Sequence, residues 1–131
     1  LSPDGTRLYA AETVGKRLTV FARNAGTAAL VKDAELAVDG APDNVNVDLD
    51  GTVWLAVHGR TLDLVRHFAD ARHPAPSWIQ RWSPAAPDKG LQTAFLDDGR
   101  RLSAGSVGAV LDRQVLVGSI TDPKVLSCRL P

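Results

Sequence analysis

Two oxygen-bearing side chains stand side by side in Pro42-Asp43-Asn44-Val45-Asn46-Val47-Asp48. A carboxylate beside a carboxamide is a donor pair for a hard cation such as Ca²⁺, which gathers about six to eight oxygen ligands. Adjacent side chains of a regular strand point to opposite faces. A bent strand start after Pro42 would let the two converge on one ion. The other reading of the same residues is an Asx turn that opens the strand. His58 closes the run Thr52–His58 just before Gly59. There its side chain would sit at the mouth of a channel, or be a hydrogen-bonded histidine at a strand end. His67 and His73 are expected in solvent. No His-x-His or His-x₃-His spacing offers a zinc site. No G-x-S-x-G elbow, Walker loop or G-x-G-x-x-G occurs. Ser106, in Gly105-Ser106-Val107, has no activating partner visible in the sequence.

The elements that must position these residues are short strands divided by turns. Arg7–Ala11, Arg17–Arg23, Asp43–Asp48 and Thr52–His58 read as strands, with Val45 and Val47 on one face of the third. Thr52–His58 is apolar on both faces, as in a strand buried on both sides. Trp78–Trp82, Leu91–Leu96, Ser106–Leu111, Gln114–Ile120 and Lys124–Arg129 follow. Pro3-Asp4-Gly5, Asp50-Gly51 and Asp98-Gly99 are turns, because glycine accepts positive φ and aspartate bonds its own backbone. Thr61–Ala71 carries Leu62, Val65 and Phe68 at three-residue spacing, which suits a short helix or a strand. Arg72–Ser77 and Pro84–Pro87 are loops, since proline cannot join a ladder.

Ser2–Glu12 (SPDGTRLYAAE) and Asp48–His58 (DLDGTVWLAVH) are copies of one unit at an offset of 46 residues. Leu111–Val117 has the same shape without the glycine, at an irregular offset. Asp98-Gly99 keeps the period but leads into Arg100-Arg101. A strand-built repeat of this length marks a β-propeller blade. The fold class is therefore all-β, a partial propeller with a possible short helix near 61–71.

Of 131 residues, 15 are Lys or Arg and 15 are Asp or Glu, so the net charge is zero. With no like-charge block, nothing supports nucleic acid as a partner. The longest apolar run, Val53–Val57, is five residues, far below a membrane span of about eighteen. Methionine is absent and the chain opens on a turn. Residues 1–131 therefore read as a fragment cut in mid-domain, or as a processed product. Cys128 is the one cysteine. It is either a small buried hydrophobe or half of a bridge whose other half is outside the chain.

Three segments, Leu1–Glu12, Pro42–His58 and Ser103–Leu130, resemble the C-terminal part of the paraoxonase/arylesterase family. The second is the most specific: an Asp-Asn pair, V-D-x-x-G-x-x-W, then a strand ending in histidine. The resemblance implies a six-bladed, calcium-dependent propeller that hydrolyses lactones and aryl esters, of which residues 1–131 are the C-terminal portion, about two to three blades, with the N-terminal half lying outside the chain. It implies that Asp43 and Asn44 bind the tunnel calcium. It also implies that His58, Ser106 and Ile120 line the substrate wall, and that Thr13 stands where the family carries a larger apolar residue. Cys128 matches the terminal cysteine that bridges to an N-terminal one, which places the parent protein in the periplasm or outside the cell. The general base, a histidine pair, and further calcium ligands are expected upstream, so no catalytic residue is identifiable in this chain. A gluconolactonase (SMP-30)-like or strictosidine-synthase-like propeller is the alternative within enzymes. A non-enzymatic propeller that binds a partner on its flat face is the alternative outside them.

Overall fold

The absence of alternation in Val53–His58 has a direct structural cause: this strand feeds two cores at once. Val53, Leu55 and Val57 pack with Tyr9, Leu18, Val20, Val38 and Trp82. Trp54 and Ala56 point the other way, onto Ile79, Phe95, Leu102, Val115 and Val117. Each fully buried aliphatic side chain stabilises the fold by about 1.5–3 kcal/mol. The sheet that carries the strand is therefore the middle layer of three.

The computed structural model describes residues 1–130. Strands β1 (Arg7–Glu12), β2 (Arg17–Arg23) and β3 (Leu30–Ala37) form the first antiparallel meander. Strands β4 (Ala41–Val47), β5 (Val53–His58), β6 (Ser77–Trp82) and β7 (Gln92–Asp97) form the second, and β8 (Gly105–Leu111), β9 (Gln114–Ser119) and β10 (Val125–Arg129) the third. β1 packs against β4, and β5 against β8, so the sheets stack as consecutive blades. The chain is all-β, an arc of a β-propeller, with one short helix α1 (Thr61–Ala69) between β5 and β6.

Strand β3 has no counterpart in the sequence reading. Its residues LVKDAELA are almost all exposed, so no buried face stamps a period on them. The ladder to β2 and ion pairs from Glu35 to Lys32 and Arg17 hold it instead.

Helix α1 settles the ambiguity of Thr61–Ala71 and corrects the expectation for its histidines. Leu62, Val65 and Phe68 face solvent, while Asp63 and His67 are buried. His67 Nδ1 donates to the His73 carbonyl at 2.6 Å, and Nε2 meets Thr121 Oγ1 at 2.8 Å. His73 Nε2 lies 3.1 Å from Asp63 Oδ1, so neither imidazole is free in water. The His73 hydrogen bond, with Arg60 and Arg66 nearby, holds the Asp63 carboxyl below its ordinary range. Polar tethers, rather than an apolar stripe, seat this helix.

The third copy of the repeat is also resolved. β4 leads through Asp50-Gly51 into β5, and β8 leads through Asp112-Arg113 into β9, so Leu111–Val117 is the structural equivalent of Asp48–His58. Its offset is irregular because α1 and the following loop are inserted between β5 and β6. Asp98-Gly99 instead joins β7 to β8 and is not part of the repeat. Asp112 and Arg113 both adopt positive φ (48° and 62°) between the paired residues Leu111 and Gln114. That is the two-residue hairpin in which glycine is preferred. Arg113→Gly should raise the free energy of unfolding by about 0.5–1 kcal/mol, measured by urea denaturation, because it removes the left-handed strain of a side-chain-bearing residue.

Candidate functional site

The bend that Asp43 and Asn44 require is a β-bulge. In the β4–β5 ladder, Pro42 pairs with Val57 and Val45 with Leu55. Asp43 and Asn44 thus share one partner position, opposite Ala56. A bulge inserts one residue and re-aims the side chains beside it. Parity shows the result. Along β5, His58 falls on the face of Trp54 and Ala56, which is turned to the third sheet. Asp43 Oδ2 lies 3.3 Å from His58 Nε2. Asn44 Nδ2 donates to the Ser106 carbonyl at 2.9 Å. Both side chains therefore lie on the face toward the third sheet, where strict alternation would have separated them. Neither makes an Asx-turn hydrogen bond among the described residues.

Strand β8 carries the same device. Gly105 pairs with Ser119 and Val107 with Gly118, which leaves Ser106 as the extra residue. Two neighbouring strands thus bulge near their starts, and Asn44 joins one bulge to the other. β4 and β8 begin where β5 and β9 end, as the pairs Ala41–His58 and Gly105–Ser119 show. Asp43, Asn44, His58 and Ser106 consequently gather at one end of the blades. His58 is 4% exposed and Ser106 9%. His58 Nδ1 is buried without a partner among the described residues.

Ile120 follows β9 at the same end, half exposed, with its N–H bonded to the Ala104 carbonyl. Thr13 is exposed in the β1–β2 turn. That turn adjoins the segment leading into β4, because Val38 N–H donates to the Lys16 carbonyl. No hydrogen bond ties Thr13 to the Asp43 group among the described residues. Cys128 lies on β10, opposite Val115, as a partly buried free thiol against the second core. Sequence reasoning misses Asn46 as a site residue. Its Nδ2 donates to the Gly108 carbonyl at 2.8 Å. The signal that could find it is the Asn-x-Asn spacing in a strand whose alternate residues are valine. Two concavities of about 510 and 410 Å³ open at the other end, around the Asp4 and Asp50 turns, and contain none of Asp43, His58 and Ser106. The candidate site is a convergence of side chains, not an enclosed cavity.

Asp97 organises the loop that leads from β7 into β8. Its buried carboxylate accepts the Gly99 N–H at 2.9 Å and the Arg101 side-chain N–H at 2.6 Å, with Arg101 and Leu102 backbone N–H groups nearby. Burial pushes its pKa up, and Arg101 with these N–H donors more than offsets that, leaving it below the ordinary value. A depressed folded-state pKa contributes stability above the unfolded value of about 4 that is lost as pH falls through the folded one. The unfolding free energy should therefore decline below about pH 4, and Asp97→Asn should flatten that decline in urea titrations at a series of pH values.

Three stacked antiparallel meanders, with Asp43 and Asn44 turned to one face near the start of β4, define an arc of a propeller whose candidate site lies at one end of the blades. The chain belongs to the arylesterase family, whose model matches residues 1–130. It is 26% identical over 132 residues to serum paraoxonase/arylesterase 1 of Homo sapiens and to serum paraoxonase/arylesterase 2 of Rattus norvegicus. These alignments cover 99% of this chain and 36% of each relative, so the chain spans about a third of their length. Human serum paraoxonase/arylesterase 2 is 25% identical over the same extent. Among the described residues no helix is long and apolar enough to cross a membrane. Also among them, no group of three or more His, Cys, Asp or Glu side chains is placed to hold a metal.

Proposed function

We propose that the protein carrying this chain is a calcium-dependent hydrolase of lactones and aryl esters, with Asp43 and Asn44 as two of its calcium ligands. The observation that supports this best is the bulge that turns both side chains to one face. The donor chemistry fits the ion. Because Asn44 must present Nδ2 to the Ser106 carbonyl, its Oδ1 is left facing away with no protein partner among the described residues. Asp43 has Oδ1 likewise unengaged. Two hard oxygens make an incomplete shell, and the remaining ligands belong to the part of the ring outside residues 1–131.

Calcium bound there supplies Lewis-acid polarisation of an ester carbonyl. The residues of this chain bind and orient. His58 holds the Asp43 carboxylate through Nε2, and its burial restricts the rotamers open to both groups. Ser106 and Ile120 form wall on one side of the pair. Thr13, short and polar, leaves room on the other for a bulkier acyl or aryl group. The proton-accepting histidine pair, the six-bladed ring and a bridge from Cys128 to an upstream cysteine are parts of the same reading. So is a periplasmic or secreted location, since such bridges persist in oxidising compartments.

The test uses the full-length protein with phenyl acetate and a γ-lactone as substrates. Hydrolysis of both should vanish on chelation and return with added calcium. Activity that ignores chelation, or no activity with either substrate, would leave a propeller binding module as the better reading.

A further inference from the structure

Asn46 has no role in the mechanism above, yet it makes the same bond as Asn44 one step further along. Asn44 donates to the Ser106 carbonyl at 2.9 Å and Asn46 to the Gly108 carbonyl at 2.8 Å. β4 and β8 belong to different sheets and share no backbone ladder. The two carboxamides therefore stand in for strand pairing across the junction between blades, with two-residue spacing on both strands. One such bond would act as a pivot. Two, about 6.6 Å apart along the strands, fix direction as well as distance. The acceptor on β8 is itself closely packed. A Cβ at Gly108 would lie 2.8 Å from Ile79 Cδ1, so β8 is seated directly on β6.

We infer that Asn46 is a positioning residue for the calcium site: the Asn46–Gly108 bond holds the two bulged strands in register, so that the Asn44 amide keeps Oδ1 presented beside Asp43. This rests on the calcium reading of Asp43 and Asn44. Without the second bond, β4 rotates about the first, and the buried Gly108 carbonyl loses its donor.

The experiment compares the full-length protein with Asn46→Leu, which keeps the size and removes the donor, and with Asn46→Ala in case leucine does not fit. Calcium affinity is measured by isothermal titration well below the melting temperature, and the calcium-free melting temperature by calorimetry. Calcium affinity should weaken roughly three- to tenfold, the size of one net hydrogen bond, and the calcium-free melting temperature should fall by about 2–4 °C, because the Gly108 carbonyl loses its donor with or without the ion. Unchanged affinity in both folded variants overturns the inference and assigns Asn46 a structural role alone. If the unaltered protein takes up no calcium, or Asp43→Ala binds it as well as the unaltered protein, the calcium reading itself fails and this inference falls with it.

Discussion

Asp43→Ala in the full-length protein should lower kcat/KM for phenyl acetate by about a hundredfold or more, the usual cost of removing a principal electrostatic stabiliser. Two effects add. The variant deletes a charged oxygen ligand from a site whose affinity follows ligand count and charge. It also strips His58 of its Nε2 contact, when Nδ1 already has no partner among the described residues. Asp43→Asn separates the two. It keeps an oxygen acceptor in nearly the same place for His58 but removes the negative charge. If charge at the ion dominates, Asp43→Asn is nearly as impaired as the alanine variant, and excess calcium rescues part of its activity. Recovery of full activity in Asp43→Asn at ordinary calcium would assign Asp43 to orienting His58 alone. Full activity in Asp43→Ala would remove the centre of the proposed site.

Gly99→Ala should destabilise the fold by about 2–5 kcal/mol, from left-handed backbone strain and overpacking together. Gly99 has φ +91°, and a Cβ there would lie 2.7–2.8 Å from the backbone N, C and O of Ala75. Ala75 has nowhere to go. Its N–H is bonded to Ser103 Oγ at 3.2 Å, and its carbonyl accepts the Ala104 N–H at 3.0 Å. The natural control is Gly51→Ala. Gly51 has φ +84°, but a Cβ there would meet nothing within 4 Å, so only backbone strain of about 1–2 kcal/mol applies. Urea denaturation of both variants gives the comparison, and equal losses would refute the packing argument. Since Gly99 lies in the loop that seats β8, the alanine variant should also weaken calcium binding through the Ser106 bulge.

Part of this molecule is legible in the chain alone. The D-G-T repeat points to blades, because a turn that needs positive φ and a strand buried on both faces each leave a local mark. Val53–Val57 announces a middle layer by being apolar throughout. The same logic explains what stays hidden. β3 is solvent-exposed along nearly its whole length, so no periodicity records its pairing. The helix at Thr61–Ala69 buries Asp63 and His67 and exposes Leu62, Val65 and Phe68, the reverse of what an isolated amphipathic pattern implies. Its seat is decided by Thr121, 54 residues away from His67.

The candidate site divides along the same line. Sequence alone determined which groups are present: a carboxylate next to a carboxamide, a histidine closing the following strand, and a small hydroxyl residue much further on. Tertiary structure alone decided that they meet. Adjacent residues on a strand diverge unless the ladder slips by one, and whether it slips depends on the partner strand, not on the pair. The contact from Asn44 to Ser106 joins residues 62 positions apart on different sheets. Such contacts are fixed by how β8 seats on β6, which glycines at 105 and 108 permit by leaving room for Ser77 and Ile79.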